Sequence, residues 1–309
     1  MRVPLGFAAA SASAAMVMSL LVAAPTAAAP PPAYTCTGTL ASTGVIPAGT
    51  YASLTMPPGS ACEIDGPGTV TVRSAVNLGA DAAIAVYGGA LEVRGGMTIG
   101  PGAFFGADIF GPTENVPVEI DGPVTVLSAG AFLLGEETPF GPPFATIRGS
   151  VSGIDAAAVI IQNVRITGSV SISGGGADNP VILATAGPGN SYNDIEDDQI
   201  KGSLSETGYG GVWAGVIRSQ IGGSFTFASN TEAVTDQYDI GSDLIFGSAY
   251  CADNNPAPNT GLGSVGAPSL VSGPTSGNQA ATCTGVPSGI TGPTPNVQHS
   301  WGRAHLPHF

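Results

Sequence analysis

The densest group of side chains able to move a proton or hold a cation is Asp194, Glu196, Asp197 and Asp198, with Asn190 and Asn193 just upstream. Two carboxyl groups a few ångströms apart are the working parts of a glycosidase, one as acid and the other as base or nucleophile. On that reading these four acids are the catalytic candidates of a polysaccharide-active enzyme, a hydrolase or lyase. Hard oxygen ligands so close together also suit calcium, although the D-x-D-x-D-G spacing of a loop site is missing. A third reading is a solvated acidic loop with no chemistry. Tyr192, Tyr209 and Trp213 flank the cluster and are the aromatics on which a sugar ring could stack.

Hydroxyl groups form the second candidate. Thr98, Thr125, Ser152, Ser171, Ser205 and Thr226 recur at one position of a short repeat, and Ser150, Ser169, Ser203 and Ser224 recur two residues earlier. Stacked in register, they make ladders along a flat face. Such a face can hold a cell-wall or environmental glycan by many hydrogen bonds of modest net worth, or order water. Ser and Thr are equally ordinary on the solvent side of a strand.

Other chemistry finds little support. His299, His305 and His308 all sit near the C-terminus, and no CxxC occurs, so metal binding through soft ligands has no pattern to rest on. Gly174-Gly175-Gly176 lacks the Lys-Ser/Thr ending of a phosphate-binding loop and no helix is expected after it. The chain carries 22 acidic and only 8 basic residues, a formal charge of −14, with the basic residues scattered singly. That balance repels nucleic acid and anionic lipid.

The elements that must position these groups follow from the repeat. Its pattern is Ile or Val, any residue, usually Gly, any residue, an apolar residue, a hydroxyl residue, and commonly another apolar one. It starts at Val93, Ile120, Ile147, Ile166, Ile200, Ile221 and, degraded, Ile240, with an earlier version at Ile64. Alternation with a period of two reads as a half-buried strand, with Gly marking a bend or a close backbone approach. In the copy at 166, Ile166, Gly168, Val170 and Ile172 are expected inside and Thr167, Ser169, Ser171 and Ser173 outside. From Val93 the starts are separated by 27, 27, 19, 34, 21 and 19 residues. Such intervals suit one solenoid turn per copy, with parallel ladders between turns and loops inserted between strands. The abundance of Gly (46) and Pro (26) favours strands and turns over helices. The expected fold is all-β, a single right-handed parallel β-helix over about residues 36–286.

Both ends of the chain carry further expectations. Residues 1–29 read as a signal peptide: Arg2, an apolar run ending in Leu20-Leu21-Val22, then Ala27-Ala28-Ala29 before Pro30. The thin positive start leaves cleavage and retention as an anchor as alternatives, and no later segment is long and apolar enough to span a bilayer. Four Cys in an exported chain point to disulfides. Of three pairings, Cys36 with Cys62 and Cys251 with Cys283 is favoured, since each pair brackets one end of the solenoid. There a cap is needed over exposed strand edges. Residues 287–309 lack alternation and read as a disordered tail.

The run of I-x-G-[S/N]-apolar turns, the segment Cys251-Ala252-Asp253-Asn254-Asn255-Pro256-Ala257-Pro258, then Val271-Ser272-Gly273 and Cys283, resembles a large group of secreted bacterial parallel β-helix proteins. Those often close with Cys-x-x-Asn-x-Pro-Ala-Pro and a later Cys. The resemblance covers roughly residues 140 to 286. It implies a fold and an extracellular or cell-surface location but no activity, since most members have none assigned. Asp197-Asp198 is similar to the adjacent-Asp element of β-helix pectinases, but their Gly-His-Gly and Arg-x-Lys elements are missing. The function expected is therefore a secreted, non-enzymatic solenoid of structural, adhesive or glycan-contacting role, with a polysaccharide-active enzyme as the alternative.

Overall fold

The computed structural model describes residues 29–107, 116–135, 143–189, 191–232, 238–258 and 268–284. The apolar run of the expected signal peptide, the expected disordered tail with its three His, and Asn190 lie outside the described residues. From Tyr34–Thr35 to Leu244–Ile245 the chain winds through nine three-stranded turns of a parallel β-solenoid, with a partial turn beyond. Each turn contributes to three parallel sheets in the same order: face 1 with eleven strands, face 2 with nine and face 3 with ten.

Inside, like stacks on like. Face 1 places Val76, Met97, Val124, Val151, Val170, Leu204, Phe225 and Ala249 in one register column. Face 3 does the same with Val72, Val93, Ile120, Ile147, Ile166, Ile200, Ile221 and Ile245. On face 2, Ile84, Phe105, Phe132 and Val159 line up, the two Phe rings stacked 5.3 Å apart. All of these side chains are buried. Burying one such side chain is worth roughly 1.5–3 kcal/mol, and none can be buried within its own turn. Stacking is what makes the fold stable.

The repeat crosses a corner and is not one strand. In each copy from Val93 to Ile221, the first residue ends a face 3 strand. Three residues then turn the corner, and the apolar-hydroxyl-apolar step is the next face 1 strand. Gly168 therefore lies at a bend, outside any strand. A Cβ there would lie 2.6 Å from the Gly149 carbonyl oxygen, and at Gly202 2.6 Å from that of Gly168. Close backbone approach excludes a side chain. The copy placed at Ile240 belongs elsewhere. Ile221 pairs with Ile245, so the last full copy is Ile245-Phe246-Gly247-Ser248-Ala249-Tyr250-Cys251. Ile240 also sits in an alternating run, in the face 2 strand Asp239–Gly241, and this made it resemble a start. Likewise the version at Ile64 turns from face 2 to face 3.

The long insert is not a plain loop. It carries helix α1 (Pro180–Ala186), capped by Asn179. The Asn179 Oδ1 accepts the N–H groups of Val181 and Ile182, each at 3.0 Å. Its Nδ2 donates to the carbonyls of Gly102, Ala103 and Ala129. Val181 and Ile182 then cover the outer side of face 2, packing with Ala131, Leu133, Ala158 and Ile160. An Asn N-cap followed by Pro at the first helical position is a start signal, so Asn179-Pro180 already announced a helix after the glycine run.

Both expected disulfides form. Cys36–Cys62 joins the first turn to the second, and Cys251–Cys283 joins face 1 to helix α2 (Ala280–Thr284) at the other end.

Candidate functional site

The acidic cluster is folded into the wall. Asp194 and Glu196 belong to the face 2 strand Tyr192–Glu196 and are 7 % and 5 % exposed. Asp194 Oδ2 accepts from Gln162 Nε2 at 2.7 Å. Asp197, left-handed at φ 58°, turns the corner toward face 3 and holds Arg218, stacked one turn on, by Nε and Nη2 at 2.7 Å each. Arg218 also pairs with Glu196. Asp198 is buried and its Oδ1 accepts the Val164 N–H at 2.7 Å.

Asp198 has successors. Ser219 Oγ accepts the Asp198 N–H, Asp243 Oδ1 accepts the Ser219 N–H, and Ser269 donates its hydroxyl to Asp243 Oδ2. This corner is a buried polar ladder in which each side chain satisfies the N–H of the turn before it. Burial pushes the carboxyls of both Asp198 and Asp243 well above the usual range. A solvated loop is therefore the wrong description of these acids. They are internal struts, and their adjacency reflects two successive positions of one corner. Among the described residues no three His, Cys, Asp or Glu side chains converge in a way that could hold a metal ion.

The aromatic candidates part company. Tyr209 is fully buried and its hydroxyl donates to the Ala157 carbonyl at 2.9 Å, so it closes a corner from within. Trp213 lies half-buried on the outer side of face 2 beside Tyr192, centroids 6.5 Å apart, over Gly215.

The hydroxyl face stands as an unbroken column. Thr98, Thr125, Ser152, Ser171, Ser205 and Thr226 are paired in register on face 1. Thr35, Thr55 and Asn77 extend the column on one side, Tyr250 and Ser276 on the other. One polar side chain per strand thus recurs over all eleven strands, at a pitch of about 4.8 Å. The corner serines do a separate job. Ser150 Oγ accepts the Ser169 N–H, Ser169 Oγ the Ser203 N–H, and Ser203 Oγ the Ser224 N–H, at 3.0–3.1 Å. Ser224 meets Ser248 Oγ to Oγ at 3.1 Å.

Two groups escaped the reading of the sequence. Glu206 faces inward in the column between Ile172 and Phe227. Its Oε1 accepts from Asn193 Nδ2 at 3.2 Å, and burial pushes its carboxyl up to about 8. Tyr209 and Tyr238 are buried near it and interact with it electrostatically. The sign was a Glu standing where the repeat calls for an apolar residue.

The second group is cationic. Arg73, Arg94, Arg148 and Lys201 each follow the Ile or Val that ends a face 3 strand, and Arg165 lies on the outer side of that sheet. Residues scattered singly along the chain therefore share one face. Three of them, Arg94, Arg148 and Lys201, share one place in the repeat, the residue between the Ile or Val and the Gly. Arg94 is held by Glu92, Glu119 and Asp121, and Arg148 by Glu119 and Asp121.

No protein family, curated protein or solved structure matches the chain.

Proposed function

We propose that the protein is a non-enzymatic solenoid of the cell exterior that contacts a glycan through face 1. The observation that carries this reading is the register column of polar side chains from Thr35 to Ser276. A rigid row at constant pitch presents hydrogen-bonding groups without ordering cost at binding. Its groups are evenly repeated along an axis, which suits a polymer better than a small molecule. The disulfides fit an oxidising compartment, where such polymers are found. The acids of the 194–198 segment support no rival, because each is engaged in holding two turns together.

A glycan array probed with the purified protein tests the proposal. Binding to at least one neutral polysaccharide is expected, with no release of shortened product. A variant carrying Thr125→Ala, Ser152→Ala, Ser171→Ala and Ser205→Ala removes four rungs worth about 0.5–1.5 kcal/mol each. Its affinity should fall by at least about tenfold with an unchanged melting temperature. Failure of the wild-type protein to bind any glycan sinks the idea, as does undiminished binding by the variant.

A further inference from the structure

Face 3 changes character along its length. In its first half Arg94 and Arg148 are held by Glu92, Glu119 and Asp121. One turn beyond Arg148 stands Arg165, and one turn further Lys201, and neither forms an ion pair among the described residues. Beside them the outward register column reads Thr146, Arg165, Gln199, Gln220 and Leu244, with no acid in it. In a chain of charge −14, two uncompensated cations on a stretch of sheet free of carboxylates are a local reversal of the overall field.

The same stretch is concave. Arg165, Thr167, Gln199, Lys201, Gln220 and Phe246 line a shallow groove of about 280 Å³. Its shape follows from the corner column Thr167, Lys201, Gly222, Phe246. Glycine at 222 leaves a gap between the Lys201 side chain and the Phe246 ring, which stand two turns apart, about 9.6 Å along the axis. Phe246 is 59 % exposed. A ring held out to solvent at the end of a groove offers an apolar plate to the C–H face of a sugar. Gln199 and Gln220 present amides that both donate and accept, as sugar hydroxyls require. Arg165 Nε is engaged with Gln199 Oε1 at 3.2 Å. That contact orients the guanidinium and leaves its two Nη groups for a ligand oxygen pair.

We infer that this groove on face 3 is a binding subsite for an anionic saccharide, a pyranose bearing a carboxylate, with Arg165 and Lys201 taking the carboxylate and Phe246 the ring face. It is a different face from the hydroxyl column and rests on different residues, so either can fail while the other stands.

Titration of the purified protein with an oligogalacturonate of about four residues, against the neutral oligosaccharide of equal length, tests the assignment. The acidic oligomer should bind at least about tenfold more tightly than the neutral one. Raising NaCl from about 0.05 to about 0.5 M should weaken it several-fold, as expected for exposed charges. Lys201→Ala, Arg165→Ala and Phe246→Ala should each lower affinity by about five- to tenfold, and Lys201→Glu should abolish it. Arg94→Ala, on the same face but already paired, should change it less than about twofold. All five substitutions are at exposed positions, and an unchanged melting curve confirms that each variant is folded. Equal affinity for the neutral oligomer, or equal sensitivity to Arg94→Ala, overturns the subsite. A sulfated oligomer bound in preference to the carboxylated one overturns the carboxylate assignment.

Discussion

Glu206 is the residue with the largest consequence out of proportion to its size. Burial among Ile172, Phe227 and two tyrosines disfavours its charged form, and the Asn193 amide only partly opposes this. Its carboxyl is raised from an ordinary 4.5 to about 8 in the fold. Below pH about 4.5 both folded and unfolded chains are protonated there, and nothing is lost. Between about 4.5 and about 8 only the unfolded chain releases the proton, so stability falls as pH rises, and it levels off above. Asp198 and Asp243 are shifted in the same direction and add to the slope. Urea unfolding at a series of pH values from about 5 to about 9 should show this decline. Glu206→Gln keeps the Asn193 contact and removes the charge. It should flatten the curve and raise stability at pH 8 by about 2–4 kcal/mol. Identical pH curves for the two proteins would refute this account. The residue stands in the sequence as Leu204-Ser205-Glu206, where Val170-Ser171-Ile172 is its neighbour. The exception was legible, but which side it faced was not decidable until the register was known.

At the scale of elements, the corner from face 3 to face 1 does the work that the strands alone cannot. Its glycines bond turn to turn: Gly202 N–H to the Gly168 carbonyl at 2.9 Å, Gly223 to Gly202 at 2.8 Å, Gly247 to Gly223 at 2.9 Å. Each approach leaves no room for a methyl group. Gly202→Ala should therefore cost about 1–3 kcal/mol, the usual cost of overpacking, and lower the midpoint of urea unfolding. Ser171→Ala on the neighbouring exposed row should stay within about 0.5 kcal/mol. Equal midpoints for the two variants would show that the column is not under steric constraint. The repeat's alternation marks the strands and its glycine marks the bend or close approach, but alternation alone does not show that the two flanking segments belong to different faces. Alternation continues through a corner when the corner has an odd number of residues, as 167–169 does. Helix α1 was missed for another reason: seven residues carry too little periodicity, and only its Asn-Pro start gave it away. The acidic segment misled because charge suggests solvent, and a sequence does not show that Gln162, Val164 and Arg218 wait on adjacent turns to receive it.

For the whole molecule, the solenoid is a series of turns in contact only with their neighbours, so its ends are the places where it opens. Cys36–Cys62 and Cys251–Cys283 clamp those places. A protein with Cys251→Ala and Cys283→Ala should lose about 2–4 kcal/mol. In hydrogen exchange the loss should be graded: amides of Ala249–Ala252 and Phe225–Ala228 exchange faster, and those of Val76–Leu78 do not. Uniform loss of protection along the chain would contradict a turn-by-turn fold. The pairing was foreseen because the cysteines bracket the repeats. The closing Cys-x-x-Asn segment now has a physical meaning as well. Asn254 Oδ1 accepts the Asn230 N–H at 3.1 Å, and Gln279 Oε1 in turn accepts the Asn254 N–H at 2.8 Å. The asparagine is a rung that carries the last full turn into the cap.

One constant runs through the variable turns. From Val72 onward, three residues separate each face 3 strand from the face 1 strand that follows, and extra length enters only at the other two corners. Residues 151–169 amount to one whole period in this sense, since Val151 and Val170 occupy the same place one turn apart. Faces 3 and 1 together thus form a graduated rule, marked every 4.8 Å or so. Inserting or removing such a period would change the length of the rule without disturbing its divisions. The number of rungs on face 1 is therefore counted in whole turns.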